Sequence, residues 1–116
     1  MQKNSINKVI LAGHLGANPE ARYTKSGRAV VSFSLATNEV WKQPDGLSSE
    51  HTEWHSIIAW DKLAEFAQQY LYKGQLVSIE GKIHTRSWEN KEGNKGKTTE
   101  IICSNITPLE WKSNKQ

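Results

Sequence analysis

Alternation of apolar and polar residues along the chain predicts five β-strands. A period of two residues is typical of strands that bury one face and expose the other. It recurs in residues 7–15, 30–40, 51–60, 76–88 and 98–106, with Gly-, Pro- and Asn-containing segments between most of them. The residues that share a face are Val9, Leu11, Gly13 and Leu15 in the first strand, Val31, Phe33, Leu35 and Thr37 in the second, and Val77, Ile79, Gly81 and Ile83, predicted to point inward, in the fourth.

One helix is predicted between the third and fourth strands. Asp61 precedes it and can cap its N-terminus, and Gly74 follows Lys73 as a glycine at the C′ position would. The apolar residues at helical spacing are Leu63, Phe66, Ala67 and Tyr70.

Three strands, one helix and two strands form the plan of an all-β OB-fold, a five-stranded Greek-key barrel. An open α+β sheet is the structural alternative. Glycines within strands, such as Gly13 and Gly81, favour barrel closure because they permit sharp bends.

The chain is predicted to be organised as a single domain with a short tail. Residues 1–110 are assigned to the barrel, and residues 111–116 to a basic tail expected to be disordered. Residues 43–49 are predicted to form a hairpin tip, and residues 89–97 a mobile loop rich in Lys, Asn and Gly.

Composition narrows the class of protein only modestly. Hydrophobic residues make up 36% of the chain, so many strand positions must face water or a partner. A formal charge of +3 and a pI near 9.0 are compatible with a polyanionic partner. A single cysteine, no secretory signal and no apolar stretch long enough to span a membrane predict an intracellular protein in a reducing compartment.

Catalysis, metal binding and cofactor binding find no support in the residue pattern. The four histidines, His14, His51, His55 and His84, lack metal-ligand spacing. Cys103 lies in an apolar run, which favours a buried, inert thiol over a nucleophile. Residues 93–97 lack the spacing of a phosphate-binding glycine loop. We therefore expect no catalytic residue, no metal and no cofactor.

Tryptophans beside basic residues are the most informative chemical feature. A single Trp is most often partly buried in a core or an interface. Several Trp residues on strands with basic neighbours instead suit unpaired nucleic-acid bases, which stack on aromatic rings while cations hold the phosphates. The candidates for base stacking are Trp41, Trp54, Trp60 and Trp88, whereas Trp111 lies beyond the last strand and is expected to pack or be exposed.

Basic residues near these tryptophans are the candidate phosphate contacts. The preferred set is Lys62, Lys73, Lys82 and Arg86, and a weaker set is Lys8, Arg22 and Lys42. Lys91, Lys95 and Lys97 on the flexible loop could clamp a nucleic-acid strand. His55 faces away from the Trp side of its strand and is a candidate subunit contact.

The chain resembles the bacterial single-stranded DNA-binding proteins from about Ser5 to Leu109. The resemblance rests on short segments in the family's order and spacing, namely residues 7–11, 18–24, 35–38, 52–55, 62–65, 70–74, 77–81 and 86–88. It implies an OB-fold that assembles as a homotetramer and wraps single-stranded DNA, with Trp41, Trp54, Trp60 and Trp88 as stacking residues and His55 at the subunit interface.

Some positions depart from the family pattern. Members commonly have Phe at position 60, where Trp60 offers a larger ring, and often a basic residue at the positions of Ser56 and Ser87. Members usually continue into a long linker with an acidic tip that recruits replication and repair proteins, whereas these residues end in a short basic segment. Replication and repair proteins are expected as partners only if an acidic tail exists beyond this basic segment.

The sequence thus predicts a non-catalytic protein that coats single-stranded DNA during replication, recombination and repair, located in the cytoplasm at the nucleoid. One alternative is a primosome-type accessory protein with the same fold, which would have fewer aromatic residues in its groove. The other is an OB-like module that binds a protein or an oligosaccharide through the tryptophan surface.

Overall fold

Six strands and one helix make up the fold in a computed structural model, which describes residues 3–111. In chain order they are β1 (Val9–Leu15), β2 (Glu20–Tyr23), β3 (Ala29–Lys42), β4 (Ser48–Trp60), α1 (Lys62–Tyr70), β5 (Leu76–Glu89) and β6 (Lys95–Pro108). The five long strands and the helix are those that the sequence predicts, and four of the strands are longer than expected.

The sheet closes on itself. Its strand order is β1-β5-β6-β4-β3-β2, and β1 pairs additionally with β3 through His14 opposite Ala36 and Leu15 opposite Leu35. All pairings are antiparallel except that of β4 with β6. The result is a five-stranded barrel of β1, β3, β4, β5 and β6, with α1 between β4 and β5. This confirms the OB-fold and excludes the open α+β sheet.

Strand β2 is absent from the sequence prediction. It is four residues long and has no apolar alternation, because its residues are Glu, Ala, Arg and Tyr. It forms by antiparallel pairing with β3, from Glu20 opposite Ser32 to Tyr23 opposite Ala29. The side-chain carbonyl of Gln68 on α1 accepts a hydrogen bond from the Ala21 amide at 3.1 Å. Tertiary contacts of this kind leave no periodic signal in the sequence.

The core fills the barrel with the residues that the alternation predicts. Leu35, Ile57, Val77 and Ile79 are completely buried, and Ala64 and Ala67 of α1 complete the cluster. The prediction for Ile83 is wrong, because β5 runs beyond the barrel at this point and leaves the side chain 51% exposed.

Asp61 is the N-cap residue of α1, as predicted, but its side chain does not cap the helix, and the predicted C-terminal end at Gly74 is wrong. Asp61 has φ 57° and makes no side-chain capping hydrogen bond in the described structure, because its carboxylate binds Arg28 instead. The helix ends at Tyr70, and the Leu71 amide donates to the Ala67 carbonyl. Gly74, with φ 87°, belongs to the following turn, where its amide donates to the Leu15 carbonyl.

Two hairpin arms extend beyond the barrel. In the first arm (residues 37–53), β3 and β4 stay paired up to Lys42 opposite Ser48. In the second arm (residues 82–99), β5 and β6 stay paired up to Glu89 opposite Lys95. The loop predicted over residues 89–97 is therefore too long. Its tip spans residues 90–94 and is organised by the Asn90 side chain, which accepts hydrogen bonds from the amides of Glu92 and Asn94.

The segment after β6 returns to the barrel. Completely buried Gln75 donates from its amide to the Glu110 carbonyl at 2.7 Å, and the Leu109 amide donates to the Leu76 carbonyl. Trp111, which the sequence assigns to the tail, packs edge-on against Tyr70 with ring centroids 6.0 Å apart. The rest of the predicted tail, residues 112–116, lies outside the described residues. No helix within residues 3–111 is long and apolar enough to cross a membrane.

We predict that Gly13→Ala destabilises the barrel. A Cβ atom at residue 13 would lie 2.1 Å from the Ala36 carbonyl oxygen, where β1 crosses to meet β3. Forcing backbone apart in a packed barrel should lower the free energy of unfolding by about 1–3 kcal/mol. Urea unfolding followed by circular dichroism measures this loss. Ala12→Ser, an exposed change on the same strand, is the control, and equal stability of the two variants would contradict the prediction.

Candidate nucleic-acid interface

Strand alternation places Trp54 and Trp60 on the outside of the barrel. Their neighbours on β4, Ile57 and Ala59, are buried and point inward. Directly paired residues of two strands lie on the same side of the sheet. Because Trp54 is opposite Ala36 and Trp60 opposite Val30, these pairs define the outer face of β3 and β4.

The same outer face continues over β6 and β5. Ile58 on β4 pairs with Ile102 on β6, which in turn pairs with Lys82 on β5. Alternation from Lys82 then brings Arg86 and Trp88 to the same side. We call this surface the outer face. It carries Trp54, Trp60 and Trp88, three of the four tryptophans predicted to stack bases.

Glycines lie in close contact with two of the rings. A Cβ on Gly16 would come within 2.8 Å of the Trp54 ring, and a Cβ on Gly96 within 2.3 Å of the Trp88 ring. Each indole therefore lies against backbone at a position that no other residue type leaves open. Trp54 remains 58% exposed and Trp88 43% exposed, so both rings keep accessible surface for a partner.

Trp60 is covered on one side by an arginine that the sequence analysis missed. The guanidinium carbon of Arg28 lies 4.4 Å from the centroid of the Trp60 ring, a cation–π geometry. Asp61 holds this guanidinium through hydrogen bonds from Nε to Oδ1 at 3.2 Å and from Nη2 to Oδ2 at 2.9 Å. The hydrogen bond from Arg28 lowers the pKa of the Asp61 carboxyl.

Trp41 occupies a different surface from the other candidates. It pairs with Ser49 near the tip of the first arm, and alternation along β3 puts it on the side of Phe33 and Leu35. This side is core within the barrel but open to solvent in the arm, so Trp41 is 50% exposed. Its role in stacking stays a prediction.

Basic residues border the outer face, and two of the predicted phosphate contacts among them are paired with carboxylates. Arg86 donates from Nε to Oε1 of buried Glu100 at 3.1 Å, and Nζ of Lys8 lies 3.9 Å from Glu80. Both pairs offset part of the positive charge that the sequence assigns to phosphate binding. By register and alternation, the remaining candidates on this face are Arg22, Lys42 and Lys82, all exposed.

The other predicted phosphate contacts lie outside the strands of the outer face. Lys62 is the first residue of α1, and Lys73 lies in the turn before β5, where its amide donates to the Asn18 side chain at 2.7 Å. Lys95 and Lys97 lie on β6 beside Gly96 and line the same cleft as Trp88, whereas Lys91 is in the tip.

His55 lies on the opposite side of β4 from Trp54. It is half-buried, and its Nε2 shares a hydrogen bond of 2.9 Å with the Thr37 hydroxyl. A cleft beside it is lined mainly by residues of β1, β4, β5 and β6, among them Leu11, Ile83 and Ile101. Its assignment to a subunit interface stays a prediction.

Groups for metal or thiol chemistry do not assemble in the described residues. No cluster of three or more His, Cys, Asp or Glu side chains that could hold a metal ion occurs within residues 3–111. Cys103 is buried, and this burial raises the pKa of its thiol to about 11. Very little reactive thiolate is present at neutral pH as a result.

Comparison with known proteins decides the family. The model of the "Single-strand binding protein family" matches residues 6–109. The chain belongs to this family. It is 53% identical over 105 residues to single-stranded DNA-binding protein 1 of Chlorobaculum tepidum and 47% identical over 105 residues to the single-stranded DNA-binding protein of Neisseria meningitidis. These alignments cover 90% of the chain but only 65% and 60% of the two relatives.

Solved structures of family members have the same fold. The single-stranded DNA-binding protein of Plasmodium falciparum, solved in complex with single-stranded DNA, gives a TM-score of 0.82 at 34% identity and covers 95% of this chain and 100% of its own. A deletion mutant of the Thermus aquaticus protein gives 0.78 at 32% identity, covering 90% of this chain and 51% of its own. The family and fold predicted from the sequence are thereby confirmed.

We predict that Gly96→Ala displaces the Trp88 ring. The new methyl group would occupy space that the indole now fills, so the ring must move away from β6 into water. Exposure of the indole should shift tryptophan emission to longer wavelength and increase quenching by acrylamide. The control introduces Gly96→Ala into a Trp88→Ala background, where the shift should vanish. A shift that persists there would contradict the placement of Trp88 on Gly96.

Proposed function

We propose that the chain binds single-stranded DNA with little sequence preference, stacking bases on the tryptophans of the outer face. The proposal rests on one observation. Trp54, Trp60 and Trp88 share this face, and Trp54 and Trp88 are each more than two-fifths exposed. Support comes from two sequence relatives named as single-stranded DNA-binding proteins and from the Plasmodium falciparum structure, which contains single-stranded DNA.

Ring placement favours stacking over a packing role. Trp54 and Trp88 pack against Gly16 and Gly96, and each of these tryptophans keeps more than two-fifths of its surface exposed. A stacked base contributes about 1–3 kcal/mol, and it does so for every base because each has a π-face. This chemistry explains binding that tolerates any sequence. Trp41 would add a further stacking position along the first arm.

Between these tryptophan rings, the DNA phosphates would lie along the exposed basic side chains. Arg22, Lys42 and Lys82 border the outer face, and Lys95 and Lys97 flank the Trp88 cleft. Arg86 and Lys8 contribute less net charge because Glu100 and Glu80 pair with them. Lys62 and Lys73 would contact the phosphates of a DNA strand that continues around the barrel past the helix.

The proposed biological role is to coat and protect single-stranded DNA during replication, recombination and repair, without catalysis. Binding by stacking and phosphate contact needs no reactive group. The high pKa of the Cys103 thiol is consistent with this role, because it argues against a thiolate nucleophile.

A fluorescence titration with oligo(dT) at low and high salt tests the proposal. Stacked bases should quench tryptophan emission strongly and saturably, and the affinity should fall as salt rises. Trp54→Ala and Trp88→Ala should each weaken binding by about 1–3 kcal/mol, the contribution of one stacked base.

Trp111 provides the matched control for this titration. It packs against Tyr70 of α1, in the segment that follows β6. Trp111→Phe should leave the affinity unchanged. Absence of quenching at low salt in the unmodified chain would exclude the stacking proposal and favour a protein or oligosaccharide partner for the same rings.

We further propose that the chain assembles as a homotetramer with His55 at a subunit contact. Ile83, an exposed apolar side chain in the cleft beside His55, is consistent with contacts between copies. Light scattering should give four times the mass of one chain, and His55→Ala should shift the population to smaller species. Ser56→Ala, at the adjacent position on β4, is the control, and a monomer at micromolar concentration would contradict the proposal.

A further inference from the structure

Arg28, Trp60 and Asp61 form a three-residue cluster at the end of β4. The guanidinium carbon lies over the indole, 4.4 Å from the ring centroid. Two hydrogen bonds from Asp61 fix its orientation. Asp61 adopts φ 57°, a conformation that a non-glycine residue rarely occupies and that stores strain. The surrounding structure must therefore hold Asp61 in this conformation, and with it the carboxylate that binds Arg28.

The cluster continues the outer face towards β2. Arg28 lies one residue before β3 and two residues before Val30, so alternation keeps it on the side of Val30 and Trp60. Val30 also pairs with Arg22 on β2. Arg28 thus lies on Trp60, and Arg22 lies across Val30 from it, at the edge of the surface to which the proposed function assigns the bases.

We propose that Arg28 binds a DNA phosphate next to the base stacked on Trp60. This inference rests on the proposed function and adds a contact residue that the residue pattern did not indicate. With Arg28 on one side of the indole, Trp60 offers a base only its other side. The phosphate of that nucleotide then lies at the ring edge, within reach of the guanidinium.

Arg28 keeps hydrogen-bonding capacity for this contact. A guanidinium has five N–H donors, and Asp61 takes one on Nε and one on Nη2. Within the described residues, Asp61 is the sole acceptor for the guanidinium, which leaves three donors for phosphate oxygens. The Arg28 side chain is also 54% exposed. Asp61 orients the fork, and Trp60 supports it from below.

The experiment measures oligo(dT) affinity against salt for five variants of the whole chain. Arg28→Gln removes the charge and keeps most of the side-chain volume. Asp61→Asn removes the carboxylate charge that holds the guanidinium and keeps the size and shape of the side chain. The double variant has the net charge of the original chain. Lys25→Gln removes a positive charge from the same β2–β3 turn and is the matched control.

Arg28→Gln and the double variant should weaken binding about three- to tenfold and reduce the slope of log affinity against log salt by about 0.7, the value for one phosphate contact. Asp61→Asn and Lys25→Gln should keep the original slope. Circular dichroism checks that every variant folds, and Arg28→Lys, which retains the charge, should restore the slope but only part of the affinity.

Three results would overturn the inference alone, provided that Trp54→Ala still weakens binding. These are an unchanged slope in Arg28→Gln, an equal loss of slope in Asp61→Asn, which would make the pair merely structural, or an equal loss in Lys25→Gln, which would reduce the effect to net charge. If the unmodified chain fails to bind the oligonucleotide, the proposed function falls and this inference falls with it.

Discussion

Contact between β1 and β3 closes the barrel, and the placement of the binding surface depends on that closure. Gly13 and Gly81 let backbones approach until a Cβ would be 2.1 Å from the Ala36 carbonyl oxygen and 2.3 Å from that of Ile102. Once the barrel is closed, each strand has a filled inside and an exposed outside. Aromatic residues on the outside then cannot join the core, because Leu35, Ile57 and Ile79 already fill it.

Backbone geometry also fixes how the exposed rings are presented. A tryptophan on an open strand would sample several rotamers and lose that freedom on binding. Gly16 and Gly96 leave room for the Trp54 and Trp88 rings to lie against backbone, and Arg28 packs on Trp60. All three outer-face rings are thus held before a partner arrives, which reduces the entropic cost of stacking a base on them.

Much of the fold could be predicted from the sequence, because strand alternation is a local signal. It correctly separates Ile57 and Ala59 from Trp54 and Trp60, and it identifies the five barrel strands. The signal fails where tertiary contacts decide the structure. Strand β2 forms by pairing with β3 and has no periodic signal of its own. Ile83 is exposed because β5 extends beyond the barrel.

The candidate site divides in the same way. Trp54, Trp60 and Trp88 are visible as aromatic residues in polar strands, whereas the contact of Arg28 with Asp61 spans 33 positions and has no local signature. The glycines in contact with the rings could have been noticed, since glycine at a strand end or within a strand often marks a close approach. The tryptophan that each glycine contacts could not be predicted, because the position of the ring depends on strands that are distant in sequence.

Charge pairing on the outer face changes how the surface can bind a polyanion. Lys8, Arg28 and Arg86 each have a carboxylate partner, which limits the long-range field of a chain whose formal charge is only +3. An arginine held by a carboxylate still directs its remaining N–H groups, so it binds a phosphate by geometry more than by net charge. Stacking on rigid rings would then supply most of the affinity. The arginines would fix the path of the backbone between the rings.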